Sequence, residues 1–209
     1  GLLCGIGFLV KYTMLLLPIG LVLFHLIDSP KAPARTRIRG AAVAIGAATL
    51  CAIPVFVWNA QRGWPTIRHL LGHLGIAGSD VPGDADVPWT FNPMHPVEFL
   101  GAQLALVGPA LILMLLALRA RTTSDAIDHD ARPKRIRLLL TCAGLPILLL
   151  YIAISFLTDA EGNWALPAYI SLGVLAAAAA ARAFESRTRP PIRFLWNASL
   201  AYGLIVLFG

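Results

Sequence analysis

The chain alternates long apolar runs with short polar stretches, and the length of the runs constrains the fold before any single residue does. Runs almost free of charge cover 13–27, 40–58, 97–118, 138–157, 164–181 and 194–208, and an apolar stub over 1–10 precedes Lys11. Most of these runs approach the ~20 residues that a helix needs to cross the hydrocarbon core of a bilayer. No period-two alternation is present, and a chain inside lipid must satisfy its own backbone, so the runs predict helices. The expected fold is an all-α, polytopic transmembrane helix bundle of about six spans plus the stub, forming a single transmembrane domain over 1–209. Pro18, Pro54, Pro109 and Pro146 lie inside runs and predict kinks. Gly1, Gly5 and the alanines of 176–181 predict faces on which helices pack closely.

The polar stretches orient the spans. Loops 28–39, 119–137 and 182–193 hold most of the Lys and Arg residues, whereas loops 59–96 and 158–163 hold only Arg62 and Arg68 and collect Asp80, Asp84, Asp86, Asp159 and Glu161. The positive-inside rule therefore places the first set in the cytoplasm and the second outside, in a multi-pass protein of a cytoplasmic membrane. An apolar content of 57% against 13% charged excludes a soluble enzyme, since too few polar residues remain to cover a soluble surface. The net charge of +6 is thereby a topology signal, and no nucleic-acid partner is expected. Cys4, Cys51 and Cys142 sit far apart within apolar runs, which reads as small buried side chains, neither a disulfide framework nor a zinc site.

Lys11 is the one charge in the midst of an apolar stretch. It lies ~24 Å along a helix from the cytoplasmic end of the first run, near the extracytoplasmic edge, and it marks a hairpin turn if the stub ends a preceding span. An ammonium at that depth can grip a lipid phosphate or snorkel to the interface. In the long outer loop 59–96, residues 63–74 read as a short amphipathic helix resting in the interface, with Pro65 in its first turn. His69 and His73 have i, i+4 spacing, but the glutamate of a zincin motif and a third ligand are missing, so no metal site is assigned. Residues 78–96, rich in Gly, Pro and Asp, read as a flexible loop or linker. At the second outer segment Asp159 and Glu161 read as solvated or as holding a cation or a sugar hydroxyl, and Trp164 and Tyr169 as members of an aromatic belt.

The stretch Gly5-Ile6-Gly7-Phe8-Leu9-Val10-Lys11-Tyr12-Thr13, followed by Leu-Leu-Leu-Pro, resembles bacterial membrane glycosyltransferases of the GT-C superfamily. More narrowly, it is similar to the dolichyl-phosphate-mannose-protein mannosyltransferase-like group that includes the aminoarabinose (lipid A) transferase. Two further passages agree in order and spacing: 54–69, with Trp58-Asn59-Ala60-Gln61 and Gly63-Trp64, and Gly162-Asn163-Trp164-Ala165-Leu166-Pro167-Ala168-Tyr169. The resemblance implies transfer of a sugar from a polyprenyl-phosphate donor to an extracytoplasmic acceptor that is a lipid, glycan or protein. It implies Lys11 and Tyr12 as donor-phosphate contacts, and Arg68, His69, Asn163 and Trp164 as lining of the same cavity. In that group the catalytic acid lies in a first outer loop that no residue here matches. No catalytic residue is therefore expected in this chain, which reads as a C-terminal-side fragment, inactive alone. No cofactor is assigned, and a divalent cation is left open. The competing class is a transport or lipid-binding membrane protein in which Lys11 holds a substrate anion; against it, no internal repeat is found, and Lys11 is expected at the edge rather than the midplane.

Overall fold

The computed structural model describes residues 1–28, 33–73, 91–119, 132–187 and 189–208. Most of the Gly/Pro/Asp-rich part of the long outer loop, and most of the basic loop 119–137, lie outside the described residues. Nine α-helices are described: α1 (Leu2–Val10), α2 (Leu16–Asp28), α3 (Ala34–Gln61), α4 (Pro65–His73), α5 (Met94–Val107), α6 (Ala110–Arg119), α7 (Arg132–Ser155), α8 (Leu166–Glu185) and α9 (Pro190–Phe208). Short 3-10 turns, Tyr12–Leu15 and Gly162–Ala165, lead into α2 and α8. The all-α bundle expected from the apolar runs is what forms.

The described residues carry four spans, or five if one bent pair counts as a span, against the about six expected. Among the described residues, four helices are long and apolar enough to cross a membrane: Ala34–Gln61, Pro133–Ser155, Gly162–Glu185 and Pro190–Phe208. The run over 97–118, read as one span, is instead the pair α5 and α6, bent by 100°. The break falls where the backbone permits it: Gly108 takes a positive φ of 55°, a conformation that suits glycine, and Pro109 has no N–H to continue a helical ladder. The first run folds as a shorter apolar helix, Thr13–Asp28, which at 1.5 Å per residue reaches ~24 Å, short of the ~30 Å core.

Side-chain contacts show how the bent pair travels. Phe91 stacks on Phe156 at 6.1 Å and the Asn92 N–H donates to the Phe156 carbonyl at 3.4 Å, which ties the approach to α5 to the C-terminal end of α7. Farther along α5, Gln103 Nε2 donates to the carbonyl of Gly162 at 3.1 Å, at the start of α8. Both ties are to the α7–α8 connection, so α5 lies across that end of the bundle. The far end of α6 meets the opposite end of α7, where Arg137 Nη2 donates to the Leu118 carbonyl at 2.7 Å. Together α5 and α6 still carry the chain from one end of the bundle to the other.

Small residues set the helix spacing. A Cβ on Gly20 would lie 2.1 Å from the Cys142 carbonyl oxygen, so α2 and α7 touch backbone to backbone. Gly144 stands in the same relation to Ala168 of α8, and Gly5, as expected from sequence, to Ala48 and Cys51 of α3. Helix α8 is the centre of the core, with Ala168, Leu172, Ala176 and Ala180 almost wholly buried. Asp28 and Arg135 pair at 2.6 Å and tie the last turn of α2 to the first turn of α7. The α1 and α3 pair stands beside this body, separated from α2 by an apolar cleft of about 850 Å³.

Candidate functional site

Lys11 occupies the break between α1 and the turn that starts α2. Its backbone is extended (φ −152°, ψ 126°), its N–H closes α1 on the Gly7 carbonyl at 2.9 Å, and its own carbonyl accepts from Met14 N–H at 3.0 Å. Lys11 is thus the corner between α1 and the turn into α2. A cavity of about 490 Å³ opens beside it, walled by Phe8, Leu9 and Val10 from α1, by Lys11 itself, by Pro54, Val55, Trp58 and Asn59 from α3, and by Thr66 from α4. Lys11 is the one charged residue among them, and none is a carboxylate. The C-terminal ends of α1 and α3 both reach this cavity, and the partial negative charge of those ends favours an ammonium there.

Asn59 builds the α3–α4 corner. It is 3% exposed, its Nδ2 donates to the Val55 carbonyl at 2.9 Å, and its Oδ1 accepts the Thr66 N–H at 3.0 Å. Its carbonyl also accepts from Arg62 N–H at 3.1 Å and Trp64 N–H at 2.8 Å. One side chain therefore ends one helix and satisfies an otherwise orphaned donor in the first turn of the next. The corner needs two successive residues at positive φ, Gly63 at 70° and Trp64 at 63°, the second unusual for a bulky residue. Arg62 lays its guanidinium 4.9 Å from the ring centre of Trp58, which brings a second cation to the rim.

The residues read from sequence fall into two groups. Lys11 and the corner that carries Arg68 and His69 belong to the α1, α3 and α4 end; the amphipathic stretch does form a helix, with Pro65 as its first residue. Arg68 and His69 are exposed and do not wall the cavity, and the guanidinium of Arg68 turns back over Gly63. The side chains of Tyr12 and His73 lie outside the described residues. Asn163 and Trp164 belong to a separate cluster. Trp164 is 7% exposed, with its ring 5.7 Å from that of Tyr151, and Tyr169 donates from its hydroxyl to Gln103 Oε1 at 2.6 Å. The aromatic-belt reading of Trp164 and Tyr169 is thereby corrected: both rings pack into protein, because α5 covers the end of the bundle where they sit. Asn163, Asp159 and Glu161 are exposed.

Sequence reasoning passed over Asn59 and Thr66 as site residues, and Trp58 and Asn59 entered only as part of a family passage. The available signal was an Asn closing an apolar run just before a Gly-Trp-Pro corner. Thr13, two residues beyond Lys11, is 4% exposed and its hydroxyl has no hydrogen-bond partner among the described residues. Among the described residues no three His, Cys, Asp or Glu side chains gather as metal ligands.

The chain is similar to a lipid A galacturonosyltransferase. The relative is RgtD of Rhizobium johnstonii, 28% identical over 179 residues that cover 84% of this chain and 33% of the relative. The chain thus spans about a third of the length of the curated relative it matches. The likeness supports a glycosyltransferase relationship. No family model matches the chain, and no solved structure does.

Proposed function

We propose that the chain is part of an integral membrane glycosyltransferase that moves a sugar from a polyprenyl-phosphate donor to an extracytoplasmic lipid, glycan or protein, and that Lys11 contacts the donor phosphate. The observation that carries this reading is the cavity itself: one ammonium, an aromatic wall and a capped amide corner, at a helix break flanked by lipid-facing residues such as Val10, which is 84% exposed. Similarity to RgtD supports the reaction class.

The chemistry follows from the charge. When the bond between the sugar C1 and the phosphate oxygen breaks, negative charge grows on the departing lipid phosphate, and a cation fixed beside it lowers the barrier. Lys11 supplies a compact point charge for that oxygen. The acceptor hydroxyl must lose its proton to a base as the new C1–O bond forms. With no carboxylate in its wall, the cavity is the leaving-group half of the reaction, and the base comes from elsewhere in the full protein. The bacterial cytoplasmic membrane, with the Lys11 cavity on its outer side, is the corresponding setting.

The test is sugar transfer in membranes by the full-length protein at matched expression. Loss of one partner of a desolvated charge pair costs on the order of 2–5 kcal/mol, so Lys11→Ala lowers transfer at least tenfold, while Lys11→Arg keeps part of it. Wild-type transfer by Lys11→Ala at limiting donor would make Lys11 a snorkelling residue and remove the assignment.

A further inference from the structure

The second, larger cleft has a different chemistry from the Lys11 cavity. It runs between the α1 and α3 pair and α2, and its walls are apolar along most of their length: Ala41, Ala44, Ile45 and Ala48 from α3 face Pro18 and Val22 from α2. At one end Phe8 and Phe56 close it, their rings stacked at 5.9 Å. Phe8 also walls the Lys11 cavity, so this aromatic pair stands as a partition between the two spaces. At the other end the lining changes to His25, Thr36 and Arg37. Arg37 is half-buried and its Nε has no hydrogen-bond partner among the described residues, although a guanidinium normally spends its donors on anions. The acid on the last turn of α2, Asp28, is already held by Arg135 through both carboxylate oxygens, at 3.0 and 2.9 Å from Nε.

A deep apolar slot that ends in an unmatched cation is the complement of an anionic amphiphile. From Arg37 to Phe56 the slot follows α3 for ~28 Å, more than the ~15 Å half-thickness of a bilayer core, so acyl chains fit beneath a headgroup held at Arg37. Arg37 lies in the first turn of α3, within the basic stretch 28–39, on the side where membranes present anionic lipid and where basic pockets between helices bind such headgroups. We infer that the cleft between α2 and the α1–α3 pair binds one anionic phospholipid from the leaflet on the basic side of the bundle, its phosphate on Arg37 and its acyl chains along α3. The site is separate from the Lys11 cavity and does not depend on the reaction proposed for it.

The experiment uses the protein reconstituted in phosphatidylcholine vesicles, with spin-labelled phosphatidylglycerol or spin-labelled phosphatidylcholine as the reporter lipid. The wild type binds phosphatidylglycerol in preference. A basic side chain near the membrane surface is worth about fivefold in affinity for an anionic lipid, so Arg37→Gln lowers the preference about fivefold and Arg37→Lys retains it. Ala41→Trp, which fills the slot and leaves Arg37 in place, lowers it as well, and so tests the site even if Arg37→Gln folds poorly. A photoreactive residue at position 45 then reports the occupant in vesicles that contain both phosphatidylglycerol and polyprenyl phosphate. Cross-linking to phosphatidylglycerol supports the assignment. Equal binding of the two reporter lipids, a preference unchanged by Arg37→Gln, or cross-linking to the polyprenyl chain alone would overturn it.

Discussion

Gln103 is the residue on which the end of the bundle hangs, and its contribution can be worked out before it is measured. The side chain is 0% exposed and joins three elements: Nε2 donates to the carbonyls of Phe99 and Gly162, each at 3.1 Å, and Oε1 accepts the Tyr169 hydroxyl at 2.6 Å. Gln103→Leu keeps most of the volume and removes all three bonds. Hydrogen bonds inside membrane proteins average ~0.6 kcal/mol in mutant cycles, so the two inter-element bonds alone predict only ~1 kcal/mol. That figure is a floor, because the Tyr169 hydroxyl remains buried without a partner, and an orphaned buried polar group costs about 1–3 kcal/mol. The expected loss is therefore ~2–4 kcal/mol, measured as unfolding free energy in mixed detergent micelles. Tyr169→Phe alone leaves Oε1 unpaired and costs ~1–2 kcal/mol. In the double variant Gln103→Leu/Tyr169→Phe the orphaned hydroxyl is gone, so the two effects fall short of additive by at least ~1 kcal/mol. Strict additivity, within ~0.5 kcal/mol, would show that the two side chains are not coupled and that α5 is held by its apolar face alone.

Two further outcomes test the packing and the orientation. Gly20→Ala places a methyl 2.1 Å from the Cys142 carbonyl oxygen and must part α2 from α7, costing about 1–3 kcal/mol by thermal unfolding in detergent, whereas Gly46→Ala, with nothing within 4 Å of its Cβ, stays within about 0.5 kcal/mol of wild type; equal costs would refute the close approach. A single cysteine at Asp159 reacts with a membrane-impermeant thiol reagent only from outside the cell and one at Arg187 only from the cytoplasm, and the reverse pattern in either would invert the charge-based topology.

Much of this was legible because hydrophobic runs and charge placement report directly on helix ends. The corner at Lys11, the short helix that opens at Pro65 and the close contact at Gly5 all follow from local sequence, since each depends on a break, a proline or a missing side chain within a few residues. The fate of the 97–118 run was less legible. Gly108-Pro109 announced a kink, but a kink and a 100° turn share the same local signature, and the turn is chosen by partners distant in sequence: Gly162 and Tyr169 for Gln103, and Ala105, whose carbonyl accepts the Tyr202 hydroxyl, for α9. The same limit separates Asn163 and Trp164 from the Lys11 cavity. Order along the chain placed all of them on one side of the membrane, but hydropathy carries no distance between helices.

The separation has a consequence for how a lipid-linked substrate would approach. The cluster around Gln103, Tyr151 and Trp164 is buried and knitted to the core through α7 and α8, so opening a path there means breaking buried hydrogen bonds. The Lys11 cavity is bounded on one flank by side chains that already face outward, with Leu9 at 45% and Val10 at 84% exposure and Trp58 at 44%. An amphiphile whose phosphate docks on Lys11 can therefore keep its chain in lipid while its headgroup turns inward over Trp58 toward Asn59, and it pays no cost to unpack the bundle. On the reading proposed above, the helix break at Lys11 serves this entry: a continuous helix would carry the ammonium on its flank, whereas the corner sets it at the end of α1, beside the α3–α4 turn.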